Sequence, residues 1–279
     1  MKKGLSFYTF EQNVNLREAC EQAKKAGYDG VELCISETGE LNMKTTEKEL
    51  LGIRSMINDM GLEACSVGAW NLWEHNLAGD DEYHANYACD IIKKQVEAAQ
   101  AFGTDAVLVV PGWVGTPFAD GIVRYDKAYE NAQKRLSSLA PFAEAAKVSL
   151  GVENVWNKFL LSPIETARFL DEIGSDYVGA YFDVGNIIYI GYPDQWIEIL
   201  GKRIKRLHFC DCRSECAGLS MFVDLFAGDV DFEAVMKAAK KIGYDEWATV
   251  EFLPNYRRFP YQSIINAKQS LDQILKIEC

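Results

Sequence analysis

The sequence predicts an α/β protein in which one (β/α)8 barrel occupies residues 1–279 as a single domain. Three observations carry that expectation. A helix-ending phrase recurs in Ala26-Gly27-Tyr28-Asp29, Met60-Gly61-Leu62-Glu63, Phe102-Gly103-Thr104-Asp105, Ile173-Gly174-Ser175-Asp176 and Ile242-Gly243-Tyr244-Asp245. In each, a helical pattern stops at Gly, which supplies the left-handed conformation that ends a helix. The apolar run that follows is short and lacks strict alternation, as a parallel strand buried on both faces does. Finally, 279 residues accommodate eight such units, and no Pro- or Ser-rich linker divides them.

Filling the gaps between the repeated phrases predicts strands near 4–8, 29–35, 62–67, 105–111, 148–153, 177–183, 204–209 and 247–251. Helices are expected near 15–26, 46–60, 85–102, 126–147, 163–173, 194–201, 231–242 and 261–276. In the fourth helix Ala132, Leu136, Leu139 and Ala143 step by four, three and four, which draws one apolar stripe. The eighth has the same stripe in Ile264, Leu271 and Leu275. An open doubly wound sheet would carry a Gly-rich phosphate turn after an early strand, and the sequence has none.

A barrel places its active-site groups at the C-terminal ends of its strands. Four consecutive strand-like segments end on side chains that bind metals: Glu153, Asp183, His208 and Glu251. A desolvated carboxylate costs several kcal/mol, to order of magnitude, unless something pairs with it. Three of them meeting at one barrel mouth would repel, and some would stay protonated. A divalent cation resolves this. Oxygen-rich ligation with one imidazole suits Mn²⁺, the expected ion, or Mg²⁺ or Co²⁺, better than a thiolate-type zinc site.

The remaining composition narrows the partners. A hydrophobic fraction of 48% and a charged fraction of 25% are those of a soluble globular protein. The net charge of −12 argues against nucleic acid or an anionic membrane surface as partner. No apolar run approaches the roughly 20 residues that span a bilayer. Met1-Lys2-Lys3 leads directly into a strand pattern with no signal-peptide core, so a cytoplasmic location is expected. The eight cysteines, at 20, 34, 65, 89, 210, 212, 216 and 279, read as reduced packing residues. Cys210, Cys212 and Cys216 lack a paired CxxC, and strand alternation is expected to split them from a common face, so they are not assigned a zinc ion. Homo-oligomerisation is left open.

Around the four strand ends stand Gly151-Val152-Glu153-Asn154, Tyr181-Phe182-Asp183-Val184-Gly185-Asn186, Arg206-Leu207-His208-Phe209-Cys210-Asp211 and Thr249-Val250-Glu251-Phe252. With these motifs the chain resembles the xylose-isomerase-like TIM barrels, and within them the sugar phosphate isomerase/epimerase family, including ketose 3-epimerases and ribulose-phosphate 3-epimerases. The resemblance covers essentially the whole chain, including Val109-Val110-Pro111-Gly112 and the segment from Phe222 to Val230. It implies that Glu153, Asp183, His208 and Glu251 bind the metal, and that Glu153 and Glu251 are also the acid/base pair. The implied reaction is 3-epimerisation of a keto sugar, or of its phosphate, through an enediolate. A Lewis acid on the carbonyl oxygen stabilises that species by several kcal/mol, to order of magnitude. The alternatives are a 1,2-aldose–ketose isomerase and a lyase or dehydratase of the same superfamily; a non-catalytic sugar-binding barrel lies further off.

Around the substrate the chain departs from the family it resembles. Ketose 3-epimerases of this type have a Glu shortly after the first ligand and a His three residues after the Asp; here Lys158 or Phe159 and Asn186 stand there. Trp156, Asn157, Lys158, Asn186 and Arg213 are the expected substrate-binding residues. Trp70, Trp73 and Trp113 also follow strands and are expected at the mouth. Glu32, expected at the end of the second strand, is read as supporting a ligand or binding a substrate hydroxyl, or else as forming a buried ion pair, and Asp211 as orienting His208 or reaching substrate through Arg213. His75 and His84 fall in a long, lid-like segment after the third strand, with surface or capping roles. For a phosphate, Arg213, Arg257 and Arg258 are available, whereas Asp229 and Asp231 at the start of the seventh helix would cap it and repel an anion.

Overall fold

The apolar runs become eight strands, β1 (Lys2–Ser6), β2 (Gly30–Ile35), β3 (Glu63–Ala69), β4 (Ala106–Val109), β5 (Ser149–Glu153), β6 (Val178–Asp183), β7 (Ile204–Phe209) and β8 (Trp247–Val250). All neighbouring pairs are parallel, the strands follow chain order, and β8 pairs with β1 to close the barrel. The structure is a computed structural model and describes residues 1–11, 14–216, 218–251, 254 and 256–278. Cys279 and Phe252, both part of the sequence reading, lie outside the described residues.

Eight helices wrap the barrel: α1 (Leu16–Ala26), α2 (Glu47–Asp59), α3 (Glu82–Phe102), α4 (Tyr125–Ala146), α5 (Pro163–Ile173), α6 (Pro193–Leu200), α7 (Phe232–Ile242) and α8 (Gln262–Ile274). Every residue of β2 and of β6 is buried, which explains why their sequences show no alternation. Ala132, Leu136, Leu139 and Ala143 are the buried stripe of α4, as their spacing requires. In α8, Ile264 and Leu271 are buried and Leu275 packs against the core from its edge. Asn15, Thr46, Asp81, Ser162 and Asp231 cap five helix N-termini, each side chain accepting a hydrogen bond from a first-turn N–H.

Four of the five glycines of the repeated phrase are helix C-caps, and the fifth, Gly61 (φ 66°), follows the α2 cap Met60. Gly27, Gly103, Gly174 and Gly243 are the C-caps of α1, α3, α5 and α7, with φ of 93°, 82°, 72° and 75°. Three strand ends differ from the sequence reading by two residues, β4 among them, which stops at Val109 rather than at 111. β1 stops at Ser6 because the Ser6 hydroxyl accepts from Tyr8 N (3.2 Å) and turns Phe7–Thr9 into a 3-10 turn. β3 continues to Ala69 before a second 3-10 turn, Trp70–Trp73. The β7–α7 connection also forms a small antiparallel ladder, Asp211–Cys212 against Phe222–Val223.

The barrel interior is polar near both ends. Arg206 is buried; it donates to Cys65 O at 3.2 Å and pairs with Asp105 at the start of β4. Two residues on along β7, His208 faces the other end, consistent with strand alternation. Among the described residues, no helix is long and apolar enough to cross a membrane.

Two Gly→Ala substitutions should move stability in opposite directions. A Cβ at Gly243 meets nothing within 4 Å, yet φ is 75°, so the cost is backbone strain of about 1–2 kcal/mol. Gly52 lies within α2 with equally open space, and Ala there should stabilise by about 0.5–1 kcal/mol. Thermal unfolding of the two variants checks the signs; the same sign for both would contradict the helix-cap assignment.

Candidate active site at the barrel mouth

β5 and β6 end on Glu153 and Asp183, His208 is the penultimate residue of β7, and Glu251 follows β8 directly. The register sets Asp183 level with His208 on the adjacent strand. One ligand atom from each of the four side chains lies within 4.8 Å of all the others. Asp183 and His208 have no exposed surface, and Glu153 and Glu251 retain only 5% and 3%. Among the described residues no other group of three or more His, Cys, Asp or Glu side chains converges in this way.

His208 sits between the carboxylates. Its Nδ1 is 3.2 Å from Glu153 Oε1 and 3.3 Å from Glu251 Oε2, while its Nε2 is 3.0 Å from Glu32 Oε1. Asp183 Oδ1 accepts from the backbone N–H groups of Gly185 (2.8 Å) and Asn186 (2.7 Å) and from the Cys210 thiol (3.1 Å). Asn154, a residue the sequence reading passed over, bridges two strand ends. Its amide donates to Asp183 O (2.8 Å) and its side-chain oxygen accepts from Asp183 N (2.9 Å). An Asn directly after a ligand at a strand end was the available signal.

Burial and crowding decide the protonation of this cluster. Burial first, then the neighbouring Glu251, holds Glu153 well above the usual carboxylate range. Burial likewise pushes Glu251 up to about 7 and raises Asp183. For His208 burial opposes the charged form, but Glu251 and Glu32 outweigh it and raise its pKa. Alone, then, the cluster holds protons. Its donors are carboxylate oxygens and an imidazole nitrogen, with no thiolate among them, and that set fits a hard or borderline divalent cation.

The cleft above the cluster is an open hollow of about 390 Å³ counted out to solvent, and of the quartet only Glu153 and Glu251 line it. The other walls are Tyr8, Trp73, Phe118, Val155, Trp156, Asn186 and Phe222. Two aromatic pairs stiffen them: Trp156 stacks on Phe222 (5.0 Å, 18°), and Trp73 meets Phe118 edge-on (4.9 Å, 70°). Tyr8, Phe118 and Phe222 were not singled out in the sequence, because loop aromatics carry no periodic signal. A larger depression of about 1160 Å³, between the loop after β6 and the start of α7, contains none of the quartet.

The structure distributes the other expected site residues unevenly. Trp156 and Asn186 line the cleft, with the Asn186 amide donating to Asn154 O at 3.1 Å. Asn157 does not line it. The residue is buried, donates to Gly112 O (2.8 Å) and accepts from Phe159 N (3.0 Å), which closes the loop between β5 and α5. Lys158 is exposed on a left-handed turn (φ 53°) outside the lining, and Arg213, also exposed, spends Nε on Ala227 O at 3.2 Å.

Asp211 touches neither His208 nor a substrate arginine. It accepts from the backbone N–H groups of Cys212, Phe226, Gly228 and Val230 and so organises the β7–α7 loop. Cys210 and Cys212 are buried together with Met221; residues two apart on extended chain share a side, contrary to the expected split. Trp70 packs on Tyr8 (4.5 Å) and Trp113 is buried, neither on the cleft. The segment after β3 brings Trp73 to the cleft and is held to the loop after β4 by Asn76, which donates to Trp113 O (2.8 Å) and accepts from Trp113 N (2.9 Å). His75 and His84 pair there through Nδ1 at 3.0 Å.

A family model described as "Xylose isomerase-like TIM barrel" matches residues 20–274. Inosose isomerase of Bacillus velezensis is 22% identical over 283 aligned positions, covering 99% of this chain and 97% of that protein. Among solved structures, an L-ribulose 3-epimerase superposes with a TM-score of 0.80 at 18% identity, covering 99% of this chain and 94% of that one. The IOLI protein with a bound zinc atom gives a TM-score of 0.80 at 20% identity, covering 99% and 98%. At these identities the superpositions establish a shared fold.

Cation binding is measurable directly. Metal-stripped protein should melt higher on adding Mn²⁺, by the equivalent of about 2.7 kcal/mol at a hundredfold excess over Kd. Because the raised Glu153 and Glu251 must lose protons to bind a cation, affinity should tighten from pH 6 to pH 8. Calorimetry that found no binding, or a pH-independent Kd, would reject the site.

Proposed function

The chain belongs to the xylose isomerase-like TIM barrel family, and from that premise we propose that it is a divalent-metal-dependent isomerase that epimerises a keto sugar at C3. One observation carries the reading. Of the four convergent side chains, two glutamates reach the cleft, while Asp183 and His208 stay beneath it. The names of the relatives, an inosose isomerase and an L-ribulose 3-epimerase, support the reaction class.

The proton transfer falls to Glu153 and Glu251. Both are carboxylates that reach the cleft, the groups needed to take a proton and to return one. In the absence of a cation burial raises both, Glu251 to about 7, and a bound cation would lower them again so that they enter the reaction as bases. Glu153 and Glu251 come from β5 and β8, separated by two strands. On this reading they flank the substrate carbon, so one removes its proton and the other returns one to the opposite face, which inverts the centre. Asp183, committed to two backbone N–H groups, serves as a ligand rather than as a base. A bound cation supplies Lewis acidity at the carbonyl oxygen, since a carboxylate alone is too weak a base for a C–H next to a carbonyl.

The cleft walls favour a free sugar over its phosphate. Among the described residues that line it there is no Lys or Arg. Arg213 bonds Ala227 O, and Asp231 caps α7 through Ala234 N at 2.9 Å, so that helix end is already met by a carboxylate. Stacked aromatics suit the C–H face of a sugar ring or chain and exclude water. Asn186 adds a neutral hydrogen-bonding group for a hydroxyl.

The test is solvent exchange. Mn²⁺-loaded protein is incubated in D₂O with ketoses and their phosphates, and deuterium is located by NMR. Label at C3 with a C3 epimer, from free sugars in preference to phosphates, is the expected result; label at C1 or C2 with an aldose would make the reaction a 1,2-isomerisation. Glu153→Gln and Glu251→Gln should each cost about 10²–10⁴-fold in exchange while changing substrate Kd far less. Losses confined to binding would contradict the two-base assignment.

A further inference from the structure

Below the quartet lies a buried carboxylate that neither the cation nor the proton transfer accounts for. Glu32 sits in the middle of β2, has no exposed surface and does not line the cleft, so contact with a substrate hydroxyl is ruled out by its position. We propose that Glu32 is a positioning residue: it accepts a hydrogen bond from the Nε2–H of His208 and thereby presents the Nδ1 lone pair to the cation site. The inference rests on reading the quartet as that site.

The geometry runs as follows. Register places Ser6 and Ser66 level with Glu32 on the two neighbouring strands. Oε1 accepts from the Ser6 hydroxyl at 2.6 Å and faces His208 Nε2 at 3.0 Å. Oε2 accepts from the Tyr181 hydroxyl at 2.5 Å and from the Ser66 hydroxyl. A carboxylate offers about four acceptor sites, and here three hydroxyl donors, from β1, β3 and β6, fill all but the one that faces His208 on β7. A group so saturated stays anionic and can only accept. The ring nitrogen facing it must therefore carry a proton.

A neutral imidazole has one N–H, so assigning it to Nε2 leaves the lone pair on Nδ1. Nδ1 is the nitrogen that points at Glu153 and Glu251, 3.2 and 3.3 Å away. The other tautomer would set a lone pair against the Glu32 anion and aim an N–H at the cation. Ring orientation is restrained as well, because the Tyr181 ring lies 4.5 Å from the imidazole at 56°. Glu32 also adds negative charge one imidazole away from the cation, which strengthens the ring nitrogen as a donor.

Two measurements test this, both on the full chain and neither involving a sugar. The chain has three histidines, so ¹⁵N-histidine labelling resolves His208 readily. In the protein loaded with diamagnetic Zn²⁺ as probe, ¹H–¹⁵N correlation should show His208 protonated at Nε2 and metal-shifted at Nδ1. Glu32→Gln should weaken Zn²⁺ binding by about 10–100-fold and bring in signal from the other tautomer, because an amide can turn a donor toward Nε2. If Glu32→Gln fails to fold, Tyr181→Phe and Ser66→Ala each keep the charge, remove one donor, and should give a smaller loss of affinity in the same direction. A metal-loaded His208 with its proton on Nδ1, or a folded Glu32→Gln that binds Zn²⁺ as tightly as the unmodified protein, overturns the proposal. Absence of deuterium exchange in the unmodified protein, with its metal affinity and His208 tautomer as expected, would instead count against the two-base reading alone.

Discussion

Burying three carboxylates around one imidazole is the constraint on which the mouth of this barrel is built. Glu153, Asp183 and Glu251 are each removed from water within reach of His208, and no Lys or Arg forms a salt bridge to any of them among the described residues. Separated charges of one sign in a medium of low dielectric are held together only by protons or by a cation. The neighbouring features answer that demand. Backbone N–H groups of Gly185 and Asn186 neutralise part of Asp183, Asn154 fixes the ends of β5 and β6, and Glu32 anchors the far side of the imidazole.

A closed barrel is suited to impose such an arrangement. Its strands have no free edge, and the parallel register dictates which side chains stand level across neighbours. Asp183 cannot leave His208 without shifting β6 against β7, nor Glu32 leave Ser6 and Ser66 without shifting β2 against both neighbours. The ligands are thus rigid because the sheet is. The aromatic walls differ in kind, since Trp73, Phe118, Trp156 and Phe222 stand on connections. Chemistry is written into the strands and substrate preference into the loops, the usual division of labour in this fold.

Much of this was legible in the order of residues. Helix-ending glycines, buried strand runs and helical stripes announced the eight units, and all four members of the quartet could be named because each ends an apolar run with a polar group. The expected site residues that do not line the cleft share a common reason. Asn157, Lys158, Arg213 and Asp211 lie on connections, and a connection's sequence does not tell whether its polar atoms face a cleft or the backbone of the same loop. Asn157 and Asp211 are turned to backbone groups, as buried polar side chains in tight loops must be.

The sequence by itself determined the barrel and the four convergent side chains that could hold a cation, because periodicity and strand-end chemistry are local properties of the chain. Tertiary structure decided which of the four reach the cleft, that its other walls are mostly aromatic and carry no Lys or Arg among the described residues, and that Glu32 stands behind His208. Those facts depend on contacts such as Glu32 with Tyr181, which are 149 residues apart and meet only when the sheet closes.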